Sequence, residues 1–526
     1  MNESRIRFVR MGFSLLFAAI CLRLAWIQLV ESGELREQAR AQSRMRQLLS
    51  APRGSILAAD GSVLAADGAA GIRQWPWGPM ALPILGLVGR DGSGLMGLEY
   101  HWDKRLRGIA GWKVARRTGR GQPWPTFDQE GAGALPGYSV VTTLNPGLQV
   151  EVERVLTETV AEHAAKGGVA LVLDAATGDV VAAASVPTPA NRSEMAKGRV
   201  DIGLIQRTYE PGSTFKAVTL ASALENHAVE LDTKLSVNPS WDPGDGNRPI
   251  RDAHPHTGVF DVRWCLEQSS NVCFAQIATR VGAEHLYKTA RDFGFGTPTG
   301  IDLPGEESGI LRTVDLWSMR TLPTLAIGQE VTVTPLQLAS AYAALANGGL
   351  LMRPRLVRAI VDEAGDTVER FPARPVRQVV SERAAAGALD ALGAVVDFGT
   401  GRLAALPGMR IAGKTGTSQK VDASSGRYFQ DRFMASFVGV VKAGRTSLVC
   451  LVVVDDPTLN GHTGGLVAAP AFSKITRFAM EDPMLPWGAG SPDAPGALAG
   501  WIHGNKGVKS DTVQKARELA GLEAPG

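Results

Sequence analysis

The sequence predicts an α+β chain with a single N-terminal transmembrane helix, a small β-rich module behind it, and a larger domain with its sheet assembled from both ends of one segment. Three observations carry this reading. Residues 11–30 form a mostly apolar stretch of 20 residues, about the length that spans a bilayer as a helix. From there to about residue 165, Gly, Pro and Trp are frequent and the apolar runs are short, the texture of turns and short strands. Beyond residue 166, strand-like runs stand early and late with helical stretches between them, which is the α+β pattern.

Composition sets the bounds. At 526 residues, with 44% apolar and 20% charged side chains, the chain can bury a real core across two or three domains. The formal net charge of +3, with no long basic block carrying interleaved aromatics, gives no reason to expect nucleic acid as a partner. The four cysteines (Cys21, Cys265, Cys273 and Cys450) contain no Cys-x-x-Cys pair, so metal and redox-motif readings have little support. Buried free thiols are the expectation for those beyond the apolar N-terminus.

The N-terminal segment carries Arg5, Arg7 and Arg10 against a single Glu3, followed by the apolar run from Met11 to Val30. Positive charge before the span puts residues 1–10 in the cytoplasm and everything after Val30 outside. Arg23 interrupts the run, and a mid-span arginine is costly. It can snorkel toward the outer interface beside Trp26 and Gln28. A cleaved signal peptide is the alternative, but no small-x-small site follows the run. Lipidation at Cys21 is disfavoured by Ile20 before it. The sequence therefore favours an uncleaved anchor.

Ser32 to Leu49, charged and free of proline, predicts a helical stalk ended by Pro52-Arg53-Gly54. Leu148, Val152 and Leu156 recur four apart, predicting a helix over 148–165. Val169–Asp174 and Val180–Ser185, joined by a turn at 175–178, predict a hairpin. Ser213–Leu224 reads as a helix opened by Pro211-Gly212. Another opens with Thr334 as cap and Pro335 in the first position, and Asn347-Gly348-Gly349 stops it. Met409–Ala412, Met434–Val441 and Ser447–Val454 read as strands, and Ala469–Met480 as a packed helix. After Pro483 the chain turns to Pro, Gly and Ala. A flexible tail is expected there, with one short helix at Ser510–Leu519.

Three short motifs carry chemistry. In Pro211-Gly212-Ser213-Thr214-Phe215-Lys216, helical spacing puts Lys216 on the face of Ser213, where an amine can take the hydroxyl proton. The turn places Ser213 at a helix start, whose free N–H groups can help hold an oxyanion. A capping serine with a solvated lysine would give the same pattern. Ser269-Ser270-Asn271 offers a hydroxyl that can relay a proton and an amide that can hold a peptide carbonyl, though such triplets mostly mark loops. Lys414-Thr415-Gly416-Thr417 follows a strand. Alternation aims Lys414 and Gly416 to one side and Thr415 and Thr417 to the other. Gly416 permits a close backbone approach. Lys414 supplies charge for a substrate carboxylate and should depress the pKa of a nearby lysine. An edge lysine beside a turn glycine is the plain alternative.

Together, in this order, the motifs resemble the penicillin-recognising serine enzymes, with their Ser-x-x-Lys, Ser-x-Asn and Lys-Thr-Gly set. Most of residues 1–480 is similar to the class B penicillin-binding proteins, particularly the cell-division (septal) peptidoglycan D,D-transpeptidases. The resemblance extends to Arg53-Gly54-Ser55-Ile56, Gly97-Leu98-Glu99, Thr143 through Leu148-Gln149, Gly294-Phe295-Gly296, Gly328-Gln329, Gly399-Thr400-Gly401 and Ala468-Ala469-Pro470. Glu210 before the Pro-Gly-Ser turn is more like the division branch than the elongation branch.

This resemblance implies a transpeptidase domain over 166–482 with a central antiparallel sheet flanked by helices, behind a shortened module at 31–165 and ahead of the tail at 483–526. It implies that Ser213 attacks the penultimate D-Ala carbonyl of a stem peptide ending in D-Ala-D-Ala, with Lys216 as base. Ser269 would shuttle the proton to the leaving amine and Asn271 would hold the peptide. Lys414, Thr415 and Thr417, around Gly416, would bind the terminal carboxylate. The N–H groups of Ser213 and Thr417 would form the oxyanion hole. An acceptor amine would then take the acyl group, and β-lactams would acylate Ser213 and stay. No metal or organic cofactor is implied. The implied partners are the inner membrane, a SEDS-family membrane glycosyltransferase and other division proteins.

The chain departs from the family pattern at Ala58 and Ala59, where Asp and Arg are usual. Asn145 replaces a usual Asp, and only about thirty residues separate Leu64 from Gly97, where a much longer insertion is normal. These departures bear on partners more than on chemistry. The rival readings are a D,D-carboxypeptidase, a β-lactamase or β-lactam sensor of the same fold, and a non-catalytic division scaffold. Residues 31–165 leave too little room for a glycosyltransferase domain.

Overall fold

The computed structural model describes residues 3–68, 71–117, 123–124, 131–187, 201–246, 249–422, 424–443 and 446–481. The tail from residue 483 and the helix expected at Ser510–Leu519 lie outside them. The described residues form two compact units, one from those within 3–52 and 108–137, the other from those within 53–107 and 138–481.

The first unit starts with helix α1 (Glu3–Leu29), long and apolar enough to cross a membrane. Arg23 does reach toward the far end of the span. Its guanidinium lies 2.9 Å from Glu31, whose carboxylate also accepts from the Trp26 indole at 3.0 Å. Helix α2 (Ser32–Ser43) follows, but the stalk does not run on to Leu49 as a helix. Strand β1 (Arg44–Leu49) pairs antiparallel with β2 (Gly111–Arg117), Leu48 opposite Trp112 and Leu49 opposite Gly111. The Arg46 guanidinium lies 3.9 Å from the centre of the Trp112 ring. A strand partner more than sixty residues away leaves no local mark, so proline-free charged sequence reads as helix there.

In the second unit, residues 53–107 pack with the segment from residue 138 onward, whereas the sequence reading groups them with the module at 31–165. Ile56–Leu57 pairs parallel with Ser139–Thr142, which pairs antiparallel with Val357–Val361 in a six-stranded sheet. The Arg53 and Glu99 signatures also meet in this unit. Arg53 Nε donates to Glu99 at 2.7 Å, its Nη1 to Asp103 at 2.7 Å, and Arg73 Nε to the other Glu99 oxygen at 2.7 Å. Glu99 is fully buried, so the two guanidiniums supply the compensation that a buried carboxylate requires.

Helix α3 (Pro146–Glu162) is capped by Asn145, whose side chain accepts from the Leu148 N–H at 2.8 Å. The expected hairpin is present as β3 (Gly167–Asp174) and β4 (Val180–Val186). The nucleophile motif leads into α4 (Lys216–Glu225), and α5 (Val262–Glu267) and α6 (Asn271–Val281) follow. Helix α7 (Pro335–Ala346) opens with the expected Thr334 cap, closed as a capping box by Gln337. Next come α8 (Glu382–Asp397), β5 (Ile411–Val421), β6 (Tyr428–Ala443), β7 (Thr446–Asp455) and α9 (Gly464–Glu481). The strands run longer than the apolar runs that marked them.

The sheet order is β4-β3-β7-β6-β5, antiparallel throughout, so β5 and β6 from the end of the segment flank the early hairpin through β7. Alternation splits each strand between two cores. Val169, Leu171 and Leu173 join the cluster holding Leu220 of α4, Leu338 of α7 and Leu392 of α8. Ala170 and Val172 join the one holding Val152 and Leu156 of α3 and Phe472 and Ile475 of α9.

The thiol expectation fails for two of the four cysteines. Cys265 and Cys273 form a disulfide, their Cα atoms 5.9 Å apart, while Cys21 and Cys450 are free. The turn between α5 and α6 folds the two sulfurs together, and a spacing of eight residues does not announce that.

Candidate active site

The nucleophile turn is built by close backbone packing. Gly212 has φ +54° and donates its N–H to the Gly328 carbonyl at 3.0 Å. A Cβ on Gly328 would stand 2.0 Å from the Gly212 oxygen. Residues Gly212–Phe215 make one 3₁₀ turn before α4, with Ser213 partly exposed and Lys216 fully buried one turn on. Phe215 packs on Phe295, ring centres 5.3 Å apart, and the Tyr342 hydroxyl donates to the Thr214 carbonyl at 2.8 Å.

Lys216 Nζ donates to the Ser269 carbonyl at 2.6 Å, to Asn271 Oδ1 at 2.7 Å and to Ser269 Oγ at 3.3 Å. All three acceptors lie on the Ser-x-Asn segment, and none is Ser213. Lys414 Nζ, also fully buried, donates to Ser269 Oγ at 2.9 Å and to Thr415 O and Oγ1 at 3.1 and 3.3 Å. Ser269 takes a positive φ of +59°, uncommon for a residue with a Cβ, and presents both its oxygens to Lys216.

The alternation read from the sequence holds along β5. Lys414 and Gly416 face the Ser-x-Asn segment and the nucleophile turn. A Cβ on Gly416 would meet Ser436 Oγ at 2.3 Å and the Pro211 carbonyl at 2.9 Å. Thr415 and Thr417 turn the other way. Thr415 Oγ1 lies 2.7 Å from Thr400 Oγ1, and Thr417 Oγ1 accepts from the Gly464 N–H at 3.1 Å. Gly399-Thr400-Gly401 thus belongs to the wall of the same site.

Burial pushes the Lys216 amine down to about 7, with the Asp252 carboxylate acting against that fall. Burial first, then repulsion from Lys216, holds Lys414 well below the usual lysine value. The repulsion expected between the lysines therefore shows at Lys414, while at Lys216 burial is the main cause. Among the described residues no group of three or more His, Cys, Asp or Glu is placed to hold a metal ion.

The penicillin binding protein transpeptidase domain model matches residues 168–477, the segment that carries all three motifs. The chain belongs to the penicillin-binding protein transpeptidase family. Its relatives place it with class B penicillin-binding proteins of septal type. It is 34% identical over 415 residues to stage V sporulation protein D of Bacillus subtilis, covering 78% of this chain and 64% of that protein. It is 30% identical to peptidoglycan D,D-transpeptidase FtsI of Escherichia coli, covering 77% and 66%. The chain therefore spans just under two thirds of the length of these curated relatives. Among solved structures it is similar to penicillin binding protein 3 from Mycobacterium tuberculosis complexed with ampicillin. That match has 32% identity, a TM-score of 0.73, and coverage of 85% of this chain and 99% of that one.

In this penicillin-binding protein, several residues that shape the site carry no motif of their own. Asp252 caps the Ser-x-Asn helix. Glu210 accepts from the Tyr428 hydroxyl at 2.9 Å and from the Glu330 N–H at 2.8 Å, which ties the turn before Ser213 to β6 and to the Gly328-Gln329 loop. Gly464 packs on β5, where a Cβ would meet the Ser436 and Gly416 carbonyls at 2.1 and 2.4 Å. Of Asp252, Glu210 and Gly464, the resemblance singles out Glu210 alone.

Proposed function

We propose that the protein is a serine D,D-transpeptidase that crosslinks peptidoglycan stem peptides through an acyl-enzyme on Ser213, in septal wall synthesis. The observation that carries this reading is the convergence of two buried lysines, Lys216 and Lys414, on the Ser269 hydroxyl beside the Ser213 turn. With its amine near 7, Lys216 is partly neutral at neutral pH and takes the Ser213 proton as the hydroxyl attacks the penultimate D-Ala carbonyl. The Ser213 and Thr417 N–H groups hold the oxyanion.

Ser269 Oγ accepts from both Nζ groups, so as its own proton passes to the leaving amine it can take up the proton that Lys216 gained from Ser213, which returns Lys216 to the neutral amine. Asn271 uses Oδ1 on Lys216 and one N–H on the Arg251 carbonyl at 2.9 Å, leaving its second N–H for the peptide. Thr417 Oγ1 accepts from Gly464, so its proton is free for the substrate carboxylate, which also meets Lys414 and Thr415. An acceptor amine then attacks the acyl carbonyl and releases Ser213. β-Lactams acylate Ser213 in the same way, and the ampicillin complex of the solved relative supports that reading.

Helix α1 anchors the chain, with the arginines of its first turns, ahead of the apolar run, holding residues 1–10 in the cytoplasm and the catalytic unit outside. A SEDS-family membrane glycosyltransferase is the expected partner. The test of the reaction is a stem-peptide thioester donor offered together with a D-amino acid acceptor. Exchange product in excess of hydrolysis is expected. Hydrolysis alone would make the protein a carboxypeptidase, and rapid turnover of a penicillin would make it a β-lactamase.

A further inference from the structure

We propose that Asp252 is a positioning residue for this reaction, holding Ser269 and Asn271 in register with Lys216 from outside the three motifs. The proposal rests on the reading of Ser213 as nucleophile and Lys216 as its base. Asp252 follows directly on the short strand Ile250–Arg251, far in sequence from α6. Its Oδ1 accepts from the backbone N–H groups of Asn271 and Val272, the latter at 3.0 Å, and its Oδ2 accepts from the Ser270 hydroxyl at 2.7 Å. Ser270 Oγ in turn accepts from the Cys273 N–H at 3.1 Å.

The first three unpaired N–H donors of α6 are thereby satisfied by one carboxylate and one hydroxyl. The neighbouring Arg251 carbonyl takes the Asn271 side chain at 2.9 Å. A two-residue bracket thus fixes both the backbone and the amide of Asn271. Ser269, one residue before the cap, keeps its left-handed backbone only while the segment on either side is held. On its other side the Ser269 N–H is bound to the Leu266 carbonyl at 3.1 Å, and the Ser270 N–H to the Cys265 carbonyl at 2.9 Å.

Asp252 also bears on the charge of the base. The groups facing Lys216 are the Ser269 and Asn271 oxygens and the Phe274 ring, with charge supplied by Lys414 from β5 and by Asp252. The Asp252 carboxylate favours the ammonium, against burial. Removing that charge while keeping the cap should let the Lys216 proton leave at lower pH.

The experiment measures the second-order rate of acylation of the full chain by a fluorescent penicillin across pH, for wild type, Asp252→Asn, Asp252→Ala and Ser213→Ala. Asp252→Asn keeps an acceptor for the helix N–H groups, and its acid limb is expected to move to lower pH. Asp252→Ala loses the cap and is expected to fall on the order of tenfold to a hundredfold in rate. An Asp252→Asn profile with an unmoved acid limb, or an Asp252→Ala rate equal to wild type, overturns the role of Asp252. Should Asp252→Ala fail to fold, the Asp252→Asn profile still decides. Label on Ser213→Ala overturns the nucleophile assignment instead, so the two failures are distinct.

Discussion

Lys216 and Lys414 meet on one oxygen: the Ser269 hydroxyl accepts from Lys216 Nζ at 3.3 Å and from Lys414 Nζ at 2.9 Å. Two like charges on one atom are tolerable only where at least one amine gives up its proton readily, and burial of both supplies that condition. The same hydroxyl therefore joins the motif that carries the base to the motif that carries the carboxylate site. Its removal should be felt by both.

Replacing Ser269 with alanine should slow acylation by roughly 10²–10⁴-fold while leaving the fold intact, because a proton relay is lost and nothing larger is introduced. Stopped-flow acylation with a chromogenic β-lactam, paired with a thermal melt, checks this. A near-normal rate in a folded variant would remove Ser269 from the mechanism.

Acylation should rise with pH through about 7, where Lys216 loses its proton, and fall away below that. Stability should move in the same direction. Both buried amines are held below the usual lysine value, so the unfolded chain binds more protons in this range. Folding stability should then increase as pH rises from about 7 toward the ordinary lysine value near 10.5. Denaturant midpoints at several pH values, compared with those of Lys216→Met, isolate the contribution of this amine.

Gly416→Ala should cost about 1–3 kcal/mol of stability and most of the acylation rate. The added methyl meets Ser436 Oγ at 2.3 Å and the Pro211 carbonyl at 2.9 Å, so β5 must lift away from the nucleophile turn. Gel labelling with a fluorescent penicillin, alongside a melt, reports both effects.

The Cys265–Cys273 disulfide encloses the loop that carries Ser269, Ser270 and Asn271. Intact mass under denaturation with an alkylating agent should show two modified thiols without reductant and four with it, since Cys21 and Cys450 are free. The double alanine variant should lose about 2–4 kcal/mol of stability. Four modified thiols in the unreduced protein would show that the bond does not form.

What the sequence made legible follows from the range of the forces involved. Ser213 and Lys216 sit one turn apart after a Pro-Gly turn, so local spacing suffices to place them at one helix start. Lys414, Thr415, Gly416 and Thr417 lie on one strand, where alternation alone assigns their faces. Asp252 is different. It reaches Ser270 and Asn271 across eighteen residues and more, and nothing in its neighbourhood distinguishes it from a loop aspartate. The strand at Arg44–Leu49 and the attachment of residues 53–107 to the larger unit depend likewise on partners distant in sequence.

The central claim is that Ser213 carries the acyl group. Peptide mapping by mass spectrometry after incubation with a penicillin tests it directly. The expected result is one β-lactam per chain, located on Ser213 in wild type and absent from Ser213→Ala. An adduct on any other residue, or one that persists in Ser213→Ala, would contradict it.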